Sequence, residues 1–378
     1  MIVHLVSNRW NSAIAEYAVH CAKALSLLGE KQVFVGLKGS PAVRRVAGSS
    51  LKNCAVAEVE RFSLTNMPDV MRAIDPATKY IFVYGGAETF LSKWIKMSRP
   101  GVKVIRFRGD DRDASKAAFD IRQQWSQGHV DLFLSPSVYL TEKLSADAAR
   151  RGSDRALNMA SMIRTVEHGI DTTRIHREPE SDPGPGKRKD LVILGRLDPV
   201  KGHAHFFQIF GKMLQLASRE EFCLHVVGEP ANLSLVHLED AARSAGLISG
   251  KDIIFTTERV ADLSRLLSSA CAGVISSSGS EIICRVAEEF LVCGTPVAVS
   301  GVGSLGVFAR PEDGIDLGFN YGLLRSPEVE RELLAFCRKS ATETSQARSA
   351  RARHATERFS IETMARQLSK ALGDLAKI

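Results

Sequence analysis

The sequence predicts an α/β protein made of two doubly wound units in tandem, and three observations carry that reading. Its 378 residues are too many for one ordinary core and suit two domains of about 150 to 200 residues each. Short apolar runs alternate with helix-period stretches from residue 2 to 169 and again from 191 to 301, the pattern of parallel strands covered by helices on both faces. Between the two series, REPESDPGPGKRK (177–189) holds three prolines, two glycines and a charge cluster, and reads as an interdomain linker. The expected divisions are 1–176, 177–358 and a terminal helical segment, 359–378.

In the first series IVHLVS (2–7) reads as a strand. A helix follows over 13–28, where Ala, Tyr, Val, Cys and Leu recur on one face, and Gly29 stops it. QVFVGL (32–37), YIFVYG (80–85), VKVIRFR (102–108) and VDLFLSPS (130–137) are further strands, the last two separated by a polar helical stretch. IRTVEHG (163–169) is one more strand leading into a turn, with His168 as a hinge residue. The second series runs LVILGR (191–196), a helix near 203–217, FCLHVVG (222–228), a helix near 233–245, and DIIFTT (252–257). After a helix near 260–269 come AGVISS (272–277), a helix ending near Cys293, and PVAVSG (296–301). Gly294 ends that helix and Pro296 keeps it from continuing. The tail from about 328 is helical, with Ser360 as the cap of its last helix. The basic run RSARARHATER (348–358) reads as a solvated face, because no aromatic residues interleave it as nucleic-acid binding would require.

Composition narrows the class. A chain 44% hydrophobic and 25% charged is ordinary for a globular protein, and a net charge of +7 favours anionic partners. Its seven cysteines are odd in number and form no CxxC pair, which fits a reducing compartment. The amino terminus lacks the cationic and long apolar regions of a secretory signal, and no run approaches eighteen apolar residues. A cytoplasmic location is expected, with peripheral contact to an acidic membrane surface left open.

Two loops carry the candidate chemistry. GRLDPVKGHAHF (195–206) follows the first strand of the second series. Gly195 permits a tight turn, and Arg196 and Lys201 project cations from a loop that opens a helix, the arrangement of a pyrophosphate cradle. His203 and His205 lack an acidic or cysteine partner at ligand spacing, so no metal is expected there. In SSSGSEIICRVAEEFLVCGTPVAVS, the run Ser276–Ser280 forms a hydroxyl-bearing loop, and amides from Glu281 to Ile283 are positioned for a phosphate or sugar. Glu289, about one turn into the next helix, suits the paired hydroxyls of a ribose, whereas Glu288 lies about 100° around the helix and is expected to face solvent.

From about residue 165 to the end, these segments resemble the retaining, nucleotide-sugar-dependent glycosyltransferases called family 4, which have the GT-B fold of two Rossmann-like domains facing across a cleft. The family pattern is a glutamate, seven residues and a second glutamate, followed by Cys-Gly-Thr-Pro; here Glu281, Glu289 and Cys293 to Pro296 take those places. GRLDPVKG, VVGEP (226–230), EHGIDTTRI (167–175) and ERFSIETMARQL (357–368) are similar to further family segments. The resemblance implies that Glu281 contacts a donor-sugar hydroxyl, Glu289 the ribose, and Arg196 and Lys201 the diphosphate. It also implies that the terminal helix crosses back to the first domain, and that no catalytic metal or cofactor is needed beyond the nucleotide-diphosphate sugar as donor. The expected donor-binding set is Gly195, Arg196, Lys201, Ser280, Glu281, Ile282, Ile283 and Glu289.

The chain also departs from the family. Ile282 and Ile283 stand where the family has Gly-Phe, which changes loop shape. The first domain lacks the usual Gly-Gly after its first strand, having Asn11, Ser12 and Ala13 instead. It also lacks a histidine in VIRFRGDDRD, where Arg106, Arg108, Asp110 and Asp111 are the candidates. Arg108 and Asp110 are chosen as first-domain catalytic residues beside Arg196, Lys201 and Glu281, although a surface ion pair explains them nearly as well. YGGAET (84–89) is either a ligand-approach turn or a plain strand-ending turn. The expected activity is sugar transfer with retention to a glycan or lipid-linked glycan, in lipopolysaccharide or surface polysaccharide synthesis. A GT-B epimerase and a nucleotide-sugar-binding protein are the alternatives.

Overall fold

The computed structural model describes residues 1–10, 12–49, 51–109, 128–151, 154–184, 188–279, 281–318 and 328–377. The chain divides into two compact units, Met1–Gly169 with Phe359–Ile378, and Ile170–Arg358. The first unit contains β1 (Ile2–Val6), α1 (Ala13–Leu27), β2 (Gln32–Leu37), α2 (Pro41–Ala47), β3 (Cys54–Val59), α3 (Met67–Ala73), β4 (Tyr80–Val83) and α4 (Gly86–Ser98). It continues through β5 (Lys103–Phe107), β6 (Leu132–Ser135), α5 (Val138–Arg151), α6 (Asp154–Ser161) and β7 (Ile163–Thr165). Its sheet is parallel, in the order β3-β2-β1-β4-β5-β6-β7.

The second unit runs β8 (Lys189–Leu194), α7 (His203–Leu216), β9 (Phe222–Val227), α8 (Leu235–Ser244), β10 (Ile253–Thr256), α9 (Leu263–Ser269) and β11 (Ala272–Ile275). It ends with α10 (Arg285–Val292), β12 (Val297–Val299), β13 (Gly314–Asp316), α11 (Val329–Ala341) and α12 (Ser345–Phe359). These strands form a parallel sheet in the order β10-β9-β8-β11-β12-β13. The strand order reverses between β1 and β4 in one unit and between β8 and β11 in the other, the switch points at whose carboxyl ends open α/β sheets bind ligands.

Period-2 and period-3.6 patterning explains the central strands and helices, but β3 and β13 escape it. Three of the six residues of β3 are half-exposed and two are exposed, and β13 has three residues, so neither gives the signal of a buried strand. The core of the second unit is aliphatic and aromatic, with Phe206, Phe207, Phe210 and Phe222 closed around Leu191, Leu224 and Val274. The final helix, α13 (Ile361–Leu375), belongs to the first unit. Ser360 caps it by accepting from the Thr363 amide at 3.2 Å, and Gln367 accepts from the Glu167 amide at 2.7 Å. Among the described residues no helix is long and apolar enough to cross a membrane.

Two expectations are corrected. The 177–189 stretch does not separate the units: they divide at Gly169/Ile170, and the described residues of the stretch belong to the second. The cause is a fork of charge-assisted bonds, Arg177 donating to both Asp182 oxygens at 2.5 and 2.6 Å and to Ser345 Oγ at 2.8 Å. Nor is 348–358 a solvated face. Arg348 is only 1% exposed. It donates to the carbonyls of Ser268 and Ala270 and to Thr295 Oγ1 at 2.7 to 3.0 Å, with Asp182 at 3.2 Å. Arg351 forks onto Glu343 at 2.6 and 2.8 Å and donates to the Gly294 carbonyl at 3.0 Å. Arginines of this helix thus satisfy carbonyls at the ends of α9 and α10.

The histidines of the first unit are structural. His4 lies between Tyr84 Oη at 2.8 Å and Gln32 Oε1 at 2.9 Å. His20 Nδ1 is 3.1 Å from His168 Nε2, and its Nε2 is 3.2 Å from Glu16, which Arg45 pairs. Burial pushes both His4 and His20 down to about 4. At neutral pH the His20–Glu16 contact is therefore a hydrogen bond from the Nε2 proton, with Nδ1 accepting from His168. His168 is buried against α1 in this pair.

Replacing Arg348 by Met leaves the Ser268 and Ala270 carbonyls without their donor and Asp182 with Arg177 alone. Urea unfolding should register a loss of about 3 to 5 kcal/mol, against less than about 0.5 kcal/mol for Ala at exposed Arg353. The buried histidines also set an acid limit. Unfolded imidazoles bind protons near pH 6.5 and folded His4 and His20 only near 4. Their contribution is thus complete above pH 6.5 and falls away as pH drops toward 4, by up to about 3 kcal/mol each. Unfolding free energies measured from pH 7 to 4 should decline along that window, less steeply in His20→Gln.

Candidate active site

The loop after β8 is shaped by backbone contact. Gly195 has φ 152° and its amide donates to the Val227 carbonyl at 3.0 Å. A Cβ at Gly228 would overlap the Gly195 carbonyl, so the loops after β8 and β9 can lie together only with glycine there. Leu197 continues the pairing by donating to the Glu229 carbonyl at 3.0 Å. Asp198 then closes the turn Pro199–Lys201, accepting from the Val200 amide at 3.1 Å and from Asn232 Nδ2 at 2.7 Å. Gly202, at φ 69°, turns the chain into α7. Lys201 is half-buried and Arg196 exposed.

The loop after β11 locks onto this turn. Ser276 Oγ donates to the Lys201 carbonyl at 2.9 Å, and the Ser278 amide to the Val200 carbonyl at 2.8 Å. Lys201 Nζ donates to Glu281 Oε1 at 2.5 Å, and Ser277 Oγ donates to the same oxygen at 2.5 Å. The Glu281 backbone is held from a third loop, after β12: the Ser304 amide and Oγ both donate to its carbonyl, at 2.7 and 2.9 Å. Gly303 sits at φ 64°, and a Cβ on it would overlap that carbonyl. Three loops at the carboxyl ends of β8, β11 and β12 therefore fix one carboxylate beside one ammonium.

Glu289 stands in the second turn of α10, 7% exposed, with Arg285 Nε at 3.2 Å from its Oε1. Phe290 fixes this helix by lying over Gly273 of β11, where any Cβ would meet the ring. The expectation that Glu288 faces solvent is overturned, since it is 4% exposed. An eight-residue helix whose last six residues are all buried has no solvent face on which to display it. Ile282 is buried and Ile283 half-buried. Burial raises the Cys284 thiol well above its ordinary value and pushes Cys293 up to about 12, so neither is a thiolate nucleophile. His203 is buried at the start of α7 and is pushed down to about 4 by burial first, with the Lys201 charge adding to it.

The structure thus joins Lys201 and Glu281 directly, and sets Gly195, Arg196, Ile282, Ile283 and Glu289 on the loops and helix that follow β8 and β11. Ser280 and Asp110 lie outside the described residues. Arg108 follows β5 in the first unit, 6% exposed, its amide donating to the Leu134 carbonyl at 2.8 Å. Sequence reasoning missed Asp198, Asn232, Arg285, Gly303 and Ser304. The run GVGSLG (301–306), glycine-rich and directly after a strand, was the available signal for the last two. It also missed Glu88, the glutamate of YGGAET itself, in the first turn of α4. Glu88 accepts from the Ser7 amide at 3.1 Å and from Ser7 Oγ at 2.5 Å, and burial raises its pKa.

Residues 188–333 match the family model described as glycosyl transferases group 1. No curated protein matches the chain in sequence. Among solved structures, Anabaena HepE in complex with UDP-glucose is similar over 99% of both chains, at 15% identity and a TM-score of 0.74. A glycosyltransferase from Rickettsia africae is similar over 100% of this chain and 98% of its own, at 13% identity and a TM-score of 0.76. AviGT4, a glycosyltransferase involved in avilamycin A biosynthesis, is similar over 100% and 99%, at 19% identity and a TM-score of 0.63. The chain has the fold of these GT-B glycosyltransferases, two parallel-sheet Rossmann-like units.

Gly303→Ala tests the third loop. Overlap with the Glu281 carbonyl and the positive φ should cost about 1 to 3 kcal/mol in thermal or urea unfolding. Gly306→Ala, whose Cβ meets nothing within 4 Å, should cost less than about 0.5 kcal/mol.

Proposed function

We propose that the protein is a retaining glycosyltransferase that moves a sugar from a nucleotide-diphosphate sugar to an acceptor hydroxyl. The observation that carries this reading is the Lys201–Glu281 contact, 2.5 Å long, at the switch point between β8 and β11. A cation for a phosphate and a carboxylate for a sugar hydroxyl stand side by side there, as a molecule joining those two groups requires. The match of residues 188–333 to glycosyl transferases group 1, and the UDP-glucose bound by HepE, support the same donor class.

In this reading Glu281 Oε2 accepts from a donor-sugar hydroxyl while Oε1 keeps its bonds to Lys201 and Ser277. Glu289 accepts from the ribose hydroxyls. Arg196 and Lys201 offset the charge that grows on the diphosphate as the anomeric C–O bond breaks, which takes the place of a catalytic metal. The acceptor oxygen bonds to the anomeric carbon on the face the diphosphate leaves, and its proton passes to a diphosphate oxygen. The second unit holds the donor, and the first serves the acceptor, with Arg108 and Asp110 assigned there as catalytic residues. The acceptor is a glycan or lipid-linked glycan of surface polysaccharide or lipopolysaccharide synthesis, handled in the cytoplasm at an acidic membrane face. The net charge of +7 supports that setting.

UDP-, GDP-, ADP- and dTDP-sugars should be screened for protection against thermal unfolding. At least one, UDP-glucose first, should raise the midpoint. Lys201→Ala and Glu289→Ala should each weaken its binding by about tenfold or more, the loss of one charge-assisted contact. If no nucleotide sugar shifts the transition of the folded chain, the proposal fails.

A further inference from the structure

At the opposite, amino end of the second sheet, among the described residues, Asp190, Cys223 and His225 bring a carboxylate oxygen, a thiol sulfur and an imidazole nitrogen within 4.8 Å of one another. We propose that these three side chains form a zinc-binding site, separate from the donor loops and independent of the reading given above for them.

The sheet itself builds the cluster. Asp190 of β8 and Cys223 of β9 are paired in register, and His225 is two residues further along β9, so all three project from one face as adjacent and diagonal neighbours. The opposite face of β9 carries Phe222, Leu224 and Val226 into the core, which fixes the strand and prevents a register slip. His225 Nε2 is 3.3 Å from Asp190 Oδ1. Ligands bound tetrahedrally to zinc, at its usual lengths to sulfur, nitrogen and oxygen, stand about 3.3 to 3.8 Å apart, so the cluster needs only a small contraction. The donor set is mixed soft and borderline, which suits Zn²⁺ rather than Mg²⁺ or Ca²⁺.

Charge and access favour a cation. Nearby cations point elsewhere: Arg188 donates to the carbonyls of Phe222 and Arg219 at 2.8 Å, and Lys251 pairs with Glu220 at 2.9 Å. The Cys223 sulfur is held by the Lys251 carbonyl at 3.5 Å, which orients it. Cys223 is buried, whereas the Asp190 and His225 side chains are 39% and 23% exposed, so an ion has an entry path. Three protein ligands leave the fourth position of the tetrahedron for water or an outside ligand.

The test is titration of the metal-stripped full chain with Co²⁺, which reports thiolate ligation by a sulfur-to-cobalt charge-transfer band. One Co²⁺ per chain is expected, and Zn²⁺ should bleach the band. Cys223→Ser should abolish it, and Asp190→Asn and His225→Gln should each weaken binding by more than about tenfold. Cys54→Ser, at a half-buried cysteine outside the cluster, should leave it unchanged. Circular dichroism confirms that each variant folds, and His225→Gln decides the matter if Cys223→Ser does not. A wild-type chain without a saturable band, a band that survives loss of Cys223, or a Co²⁺ affinity left unchanged by His225→Gln overturns the proposal. Nucleotide-sugar protection measured on the same His225→Gln protein should be unaltered, which separates this outcome from that of the donor-site reading.

Discussion

One short ionic contact organises the candidate site: Lys201 Nζ on Glu281 Oε1 at 2.5 Å. Its side chains are 30% and 11% exposed, so solvent discounts it as a source of stability. Its importance is positional. Lys201 ends a turn that Asp198 closes, and Glu281 is pinned by Ser277 and Ser304, so the two charges meet with little conformational freedom left to lose. Separate the two and the loops after β8 and β11 would still exist, but each would hold an uncompensated charge. Remove either glycine approach, Gly228 on Gly195 or Gly303 on Glu281, and the loops could not come close enough to make it.

The first unit repeats the construction with different chemistry. Its strand order also reverses, between β1 and β4, and again a carboxylate bridges the two loops that follow. There Glu88 of α4 binds the Ser7 amide and hydroxyl, with no cation among those bonds, and burial raises its pKa. The same topology thus yields a charge pair in one unit and a buried hydrogen-bonded acid in the other. Fold alone does not choose between them; the residues at the loop ends do.

Much of this was legible in the sequence because it rests on local signals. Glycines at sharp turns, the cations opening α7, and the two glutamates flanking the start of α10 all announce themselves within a dozen residues. What stayed hidden depends on distant partners. Arg348 reads as one arginine in a basic run, and only the sheet ends around Ser268, Ala270 and Thr295 make it a buried tie. Asp190 and the pair Cys223 and His225 are more than thirty residues apart, and strand pairing alone makes them neighbours. Glu288 shows the converse limit: helical geometry placed its direction correctly relative to Glu289, but a short helix buried along most of its length leaves no outer face.

Ile282 and Ile283 connect these themes. Glycine at such a place would leave the chain after Glu281 loose, and the carboxylate would be free to swing. Two β-branched residues restrict the backbone instead. Ile282 is 7% exposed, and its carbonyl, 3.3 Å from Ser304 Oγ, shares that hydroxyl's one proton with the nearer Glu281 carbonyl at 2.9 Å. The stiffness is therefore supplied twice, by side-chain packing and by the Ser304 bonds. A site built that way accommodates little variation in what lies against it. In the reading proposed above, the donor hydroxyl meets a carboxylate that is already aimed, and selectivity there follows from the shape of the loop rather than from its adjustment.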